Sequence, residues 1–453
     1  MNRGALPFIV LALVGPAVQA QIVGWRTDGQ GIYSESRSPL VWSNVDNVIW
    51  KTPMPSWSNA SPVVVGGRLF VLGEKASLLC LDQVSGQILW QASNSYQEVL
   101  SRQALKKLTQ DAQDAKTELE RELARVEAEL KDAPGGRAGQ PLRNQAKQLR
   151  RLIKENNPFE LPPTHGDNGY SSATAISDGQ HVWAVYGTGV VVCYDRDGHR
   201  QWARFVQKPT HRWGHSASPR LIDGKLIVAI IDLFALDPQD GRTLWRTASK
   251  EHFGTSAVVH VGSTPLIFTP AGQIVQAGNG QVLYDQMPKM NWNGPIVVGD
   301  TVFCIEDTAS AWRLPKTVGA SFEPENLWTT RVRGSRHYAS PVVHEGLVYT
   351  ISREEKLSVL DAMTGKLVYW RDMELGGVNS NSAYSSVSMA AGHLIVASLS
   401  GQFAVFKPGR EYHSVARNQL EPLRSTPVFI DNWMYVRGLE HVYCIGRTAT
   451  AAR

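Results

Sequence analysis

Apolar residues in this chain come in short runs that stop at Gly, Asp or Asn, and helical spacing is confined to one segment. The run "SPVVV" from Ser61 is followed by a Gly-Gly turn, a second run in "RLFVLG", a third in "LLCLD" and a fourth ending at Trp90. Short runs bounded by turn residues predict strands, and four in succession predict an antiparallel meander. The unit returns at Ser61, Ser172, Ser218, Ser256, Gly294, Ser340, Ser386 and Thr426. Most copies lie about 35–45 residues apart, the spacing of propeller blades. Gly67, Gly179, Gly224, Gly262, Gly299, Gly346 and Gly392 mark the first hairpin in seven copies, and Asn432 does so in the eighth. Gly and Asn are the residues that accept positive φ in such turns.

The last copy stops after "HVYCIG" (441–446), without its fourth run. A matching run, "NVIWKTPMP" (47–55), precedes the first complete copy and carries Trp50. The expected fold is therefore all-β, an eight-bladed β-propeller closed by its N-terminal strand. A closed ring leaves only short outer strands unpaired, whereas an open stack exposes two sheet edges.

Three copies share a conspicuous string: "CLDQVSGQILW" (80–90), "ALDPQDGRTLW" (235–245) and "VLDAMTGKLVY" (359–369). The Asp suits an Asx-type turn, and Gly86, Gly241 or Gly365 accepts the strained backbone that follows it. The terminal aromatic then docks between blades, burying on the order of 150–250 Å². The string reads as a brace between sheets, and not as a catalytic signature. It closely resembles the tryptophan-docking motif of the pyrroloquinoline quinone (PQQ)-like propeller superfamily, Ala-x-Asp-x-x-Thr-Gly-Lys-x-x-Trp. "CYDRDGHRQW" (193–202) is one residue short of it, and the fourth, fifth and seventh blades keep it in part. The resemblance spans the chain from residue 21 except one insert. It implies the propeller fold but does not choose between quinoprotein dehydrogenases and non-catalytic propellers such as the lipoprotein of the outer-membrane barrel-assembly machinery.

The insert falls between the first two blades. "QEVLSRQALKKLTQDAQDAKTELERELARVEAEL" (97–130) lacks Gly and Pro, and places Leu105, Leu108, Ala112, Ala115, Leu119 and Val126 at coiled-coil-like spacing. "APGGRAGQP" (133–141) interrupts it, and "LRNQAKQLRRLIKEN" (142–156) brings Leu142, Ala146, Leu149 and Ile153 to one face. A helical hairpin over 96–160 is expected, with an acidic first arm against a basic second arm. The rest divides into the closing strand with the first blade (21–95) and the remaining blades (161–449).

At the start, Arg3, the apolar "ALPFIVLALV" (5–14) and "VQA" (18–20) predict a signal peptide over 1–20. No other run approaches the ~20 apolar residues of a membrane-spanning helix. A periplasmic or secreted protein follows. Its four cysteines, Cys80, Cys193, Cys304 and Cys444, sit in strand-like runs with no CxxC pair, so they read as core residues. The net charge of +5 over 453 residues comes with no basic run, which argues against a nucleic-acid partner.

Ligands of a propeller usually sit where the inner strands begin. The residues preceding those strands include Asn59, Asp167, Asn168, Tyr170, His215, Trp292, Asn293, His337 and Arg424. Thr255, His211, Trp213, His252, Asn379 and Asn381 lie nearby. This polar, aromatic ring suits an anion, a sugar, a peptide or a metal. For a quinoprotein, the resemblance implies a flat aromatic floor, which Trp213 or Trp292 would supply. It also implies Ca²⁺ ligands, for which Asp167, Asn168 and Asn293 offer hard oxygen donors. Acids are sparse in the ring, however, and an adjacent-cysteine ring is absent. The two histidines of "HRWGH" (211–215) lie in a loop, where their spacing gives no helical face for a metal. No catalytic residue or metal ligand is assigned and no cofactor is expected. The leading expectation is an exported, non-catalytic scaffold that meets a protein partner through its funnel face and hairpin. A PQQ- and Ca²⁺-dependent dehydrogenase and a carbohydrate- or small-ligand-binding propeller are the alternatives.

Overall fold

A computed structural model describes residues 22–132, 139–156, 161–319, 321–376 and 383–447. The expected signal peptide, Asn379 and Asn381 lie outside the described residues. Eight antiparallel sheets follow one another in the order the repeats predict, from blade 1 (63–93) to blade 8 (428–446). Strand Val48–Pro53 supplies the outer strand of blade 8, pairing Trp50 with Cys444 and Pro53 with His441. The N-terminal strand thus closes the ring.

The turn-and-tryptophan string works as a relay. Trp50, Trp90, Trp202, Trp245 and Trp328 each donate Nε1–H to a main-chain carbonyl in the next blade's turn, at Gln83, Arg196, Pro238, Ala277 and Ala362. Each indole also covers that turn's glycine. An added Cβ at Gly86 would lie 2.5 Å from Trp50, and φ there is +72°. So the Gly of "CLDQVSGQILW" receives the tryptophan of the blade before, and its Trp90 serves the blade after. Asp82 Oδ1 holds the turn by accepting from the Val84 and Ser85 amides.

A second ring lies at the start of the inner strands. The amides of Ser61, Thr174, Ser218, Ser340, Ser386 and Thr426 donate to the hydroxyls of Thr174, Ser218, Thr255, Ser386, Thr426 and Ser61 at 2.9–3.1 Å. Blades 2 and 4 use Thr174 and Thr255 in place of Ser172 and Ser256, the residues at which their repeats were placed. Blade 5 has Gly294 at this position. There main chains touch directly: a Cβ on Gly294 would lie 1.9 Å from the Thr255 carbonyl oxygen, and one on Gly254 2.0 Å from that of Asn293.

The segment before the closing strand fills the channel. Val23 bridges Ser177 at the far end of blade 2's inner strand, and the chain rises to a tight turn in which Gly24 and Thr27 exchange backbone hydrogen bonds. It then descends through Ile32–Tyr33, parallel to the inner strand Ser388–Ala390 of blade 7. It leaves beside the first hairpin of blade 8, where the Arg37 amide meets the Asp431 carbonyl. Fully buried Arg26, at the turn, donates to the carbonyls of Pro341 and Val387. Arg220 donates to the Asp28 carbonyl and Gln30 to that of Val297. Further on, Trp42 is buried with Phe403, Phe429 and Tyr443 between blades 7 and 8. Blade 7's outer strand carries no tryptophan; Trp42 packs edge to face on Phe403 at 5.4 Å and its amide donates to Asn418 Oδ1, but its indole N–H reaches no turn carbonyl.

The insert forms α1 (Tyr96–Val99), α2 (Arg102–Asp132) and α3 (Gln140–Glu155). Tyr96 and Val99 pack into the core of blades 1 and 2, anchoring the base. Beyond it, α2 and α3 form a seam of their own, with Val126, Ala146 and Leu149 buried among Leu119, Leu123, Leu130 and Leu142. Arg150 pairs with Glu127 across it at 2.7 Å. Ala115, placed on the apolar stripe by spacing, is exposed, and Leu123 and Leu130 carry the seam instead. All four cysteines are buried free thiols, and burial pushes Cys80, Cys304 and Cys444 up to about 12.

The brace predicts a contrast between two tryptophans. Trp90→Ala should destabilise the protein by about 2–3 kcal/mol in urea unfolding, because it removes packing and one hydrogen bond between blades. Trp370→Ala, on an exposed outer strand, should cost about 1 kcal/mol or less.

Candidate functional site

The inner strands begin around a funnel whose cavity measures about 190 Å³. Its floor is Trp25, at the tip of the channel segment. One indole face is backed by the Arg26 guanidinium, 5.3 Å from the ring centre. An arc of aromatic side chains forms one wall: Trp213, Phe253, Trp292, Tyr338 and Tyr384, one from each loop entering blades 3 to 7. Phe253 stacks on Trp292 at 5.4 Å and Tyr338 on Tyr384 at 4.8 Å, while Trp292 meets Tyr338 edge to face. Arg336 lies over Trp292 at 5.1 Å.

The opposite wall comes from blades 8, 1 and 2 and is polar. Arg424 pairs with Asp167 at 2.7 Å. Asn59 donates its amide N–H to the carbonyl of Asp167 and to Ser172 Oγ. Asn168 donates to the Trp213 carbonyl, and Asn293, from the aromatic side, to the carbonyls of Ile305 and His337. Each asparagine therefore ties its own loop to the next blade's loop. These donations fix which end of each carboxamide is nitrogen. The Oδ1 atoms of Asn59 and Asn293 and the Nε of Arg424 are buried without a hydrogen-bond partner. Blades 1 and 5 face each other in a ring of eight, so the two free oxygens stand on opposite walls.

Six of the nine candidate residues, Asn59, Asp167, Asn168, Trp292, Asn293 and Arg424, line the cavity. The other three do not. His215 is 1 % exposed and donates Nε2–H to the Ala229 carbonyl at 2.7 Å. His337 is fully buried behind the wall, with neither ring nitrogen partnered. The Tyr170 hydroxyl turns to the Pro162 carbonyl, and its amide to Glu74 Oε1. Loop histidines read as ring ligands from sequence are core residues: each lies three positions before a residue of the hydroxyl ring, His215 before Ser218 and His337 before Ser340, and both are buried there. Trp25, Phe253, Arg336, Tyr338 and Tyr384 went unnoticed in sequence. Four of them were visible as a loop aromatic or cation four to six residues ahead of an inner strand. Trp25 gave no such signal.

Burial holds His337 and His252 down to about 4, and it also lowers His215. Glu306 has its carboxyl pushed up by burial, but it lies behind the wall, accepting the amides of Asn291 and Trp292. Among the described residues lining the cavity, Asp167 is the one carboxylate, and Arg424 already holds it. Ca²⁺ gathers six to eight oxygens about a point, whereas the free carboxamide oxygens here are far apart. The cavity is also smaller than the ~300–1,000 Å³ usual for drug-sized ligands. The residues present do not fit a Ca²⁺-bound quinone. Glu421, Glu440 and His441 cluster elsewhere, but Glu421 spends its oxygens on two amides, the His441 ring and the Tyr443 hydroxyl.

An eight-bladed ring with relayed tryptophans and an axial funnel defines a PQQ-like propeller. The family described as outer membrane protein assembly factor BamB matches residues 22–119, 168–323 and 316–430, and the chain belongs to this family. No curated protein matches the sequence. Among solved structures, BamB from Moraxella catarrhalis is similar with a TM-score of 0.55 at 11% identity, over 87% of this chain and 96% of that one. Quinohemoprotein alcohol dehydrogenase from Comamonas testosteroni gives 0.58 at 11% identity, over 94% and 81%. A europium-containing methanol dehydrogenase gives 0.57 at 10%, over 92% and 90%. At such identities these likenesses speak to the fold.

The buried histidines set a pH dependence. Their folded values lie below the ~6.5 of a free imidazole, so their contribution is complete above about pH 6.5 and is lost as pH falls toward 4. His252 and His337, held near 4, are each worth on the order of 3 kcal/mol. The urea midpoint should fall between pH 7 and pH 4.5, and a His252→Asn/His337→Asn double variant should flatten that slope.

Proposed function

We propose that this protein is an exported, non-catalytic receptor propeller of the cell envelope, which presents its funnel mouth to a partner. One observation carries the reading. The one carboxylate that lines the cavity among the described residues is already committed, while three hydrogen-bonding atoms of its lining residues are left without a partner. Asp167 is held by Arg424, Glu306 holds two amides, and burial keeps His215, His252 and His337 neutral behind the wall. General acid–base catalysis needs a group poised near working pH within reach of the substrate. Asn59 Oδ1, Asn293 Oδ1 and Arg424 Nε, by contrast, are buried without partners, and each such atom costs about 1–3 kcal/mol until something bonds to it. The family's description as an outer membrane assembly factor supports a protein-contacting role in the envelope.

The helical hairpin is the second contact element in this reading. α3 is half the length of α2 and packs on its C-terminal part, so Leu105 and Leu108 lie beyond that seam. Removal of 102–156 should leave the ring folded by circular dichroism and reduce partner cross-linking in envelope fractions.

The rival dehydrogenase reading is tested directly. Purified protein incubated with PQQ and Ca²⁺ and then desalted should carry no quinone absorbance and should not reduce an artificial dye with primary alcohols. A stoichiometric chromophore with alcohol-dependent dye reduction would overturn the receptor reading.

A further inference from the structure

We infer that the funnel receives a saccharide, the end of a neutral or acidic glycan chain. This rests on the funnel being a receptor site and names what it takes. The open atoms specify the ligand's chemistry. Asn59 Oδ1 and Asn293 Oδ1 are acceptors on opposite walls, and Asn293 is only 2 % exposed. Their amide nitrogens are spent on main-chain carbonyls, so neither side chain can turn to offer a donor without breaking a loop-to-loop bond. Arg424 Nε, from the blade 8 loop beside that of Asn59, is a donor. A ligand that bonds these atoms therefore donates on both sides of the cavity and accepts beside Asn59. A hydroxyl does both at one atom, and a sugar ring carries hydroxyls around its whole edge. A peptide main chain alternates donors and acceptors along one direction and meets this arrangement at fewer points.

Charge and surface agree. Two guanidiniums, Arg336 and Arg424, face one carboxylate, Asp167, which disfavours a cationic ligand and accommodates a uronic acid. Trp25 below and the half-buried aromatic arc at the side offer apolar surface for the C–H faces of a sugar. A cavity of about 190 Å³ open to solvent takes a terminal unit and leaves the remaining chain outside.

The test is a titration of the full protein with chitotriose, maltotriose and trigalacturonate, with tetra-alanine as the peptide probe. Tryptophan fluorescence and saturation-transfer NMR would follow binding. At least one saccharide should bind saturably, with its ring protons saturated from the protein. Arg336→Ala, on the exposed rim, should weaken that binding about tenfold, the effect of a lost interaction of about 1.4 kcal/mol, while leaving the thermal midpoint unchanged. Asn293→Ala should weaken it at least as much, and Trp25→Ala should remove most of the fluorescence response. Absence of saccharide binding up to about 10 mM, a weak affinity on any scale, would overturn the inference. So would binding untouched by both Arg336→Ala and Asn293→Ala, or tetra-alanine binding at the same residues in place of sugar. Each of these outcomes leaves the receptor reading standing unless the cofactor experiment also fails it.

Discussion

The constraint on which this structure depends is closure. Eight sheets, each too small to be stable alone, persist because every blade is bonded to the next until the last meets the first. Two rings of contacts do this at different radii. Near the axis, hydroxyls accept from the amides of the blade before, and Thr426 bonding to Ser61 completes the circle. Farther out, the indoles bind neighbouring turns. The inner ring has one weak sector, at blade 5, where Gly294 has no hydroxyl to offer and the main chains of blades 4 and 5 press together. The funnel's dimensions follow from these contacts, since each loop at its mouth ends at its blade's ring position.

The outer ring was legible in sequence because it is written in side chains. Trp and Gly recur at fixed offsets, and the offset carries the geometry. The closing strand was legible for the same reason, since Trp50 sits where the eighth copy lacks its own. The inner ring was read only in part. In blades 2 and 4 a neighbouring serine mimics the threonine that makes the bond, and only pairing in space distinguishes Thr174 from Ser172. The channel segment was not legible at all. Arg26 bonds to main-chain carbonyls 315 and 361 positions away, and carbonyls leave no mark on sequence. Trp42 was missed likewise, because it packs between blades 7 and 8 from outside the repeat.

The candidate site divides along the same line. Asn59, Asn168 and Asn293 stood out as polar loop residues, and they do line the funnel. Sequence did not indicate that their amide ends are spent on holding loops together, which leaves only the oxygens for a ligand. His215 and His337 stood out more and line nothing. A histidine beside a strand start is equally at home in a loop or a core, and burial decides which. The aromatic arc has the opposite character. Each member looked like an ordinary loop residue, and its meaning comes from four others at the same height on adjacent blades.

The channel segment also sets an order of events. It precedes all eight blades in sequence, yet the carbonyls that hold Arg26 belong to blades 6 and 7. The segment's contacts are therefore complete only when blades 6 and 7 are in place. Seating it and sealing the ring are one step, because the same stretch continues into the strand that finishes blade 8. For anyone producing the protein, cargo fused ahead of Ile22 would be attached to the piece that must slide into the lumen at the end.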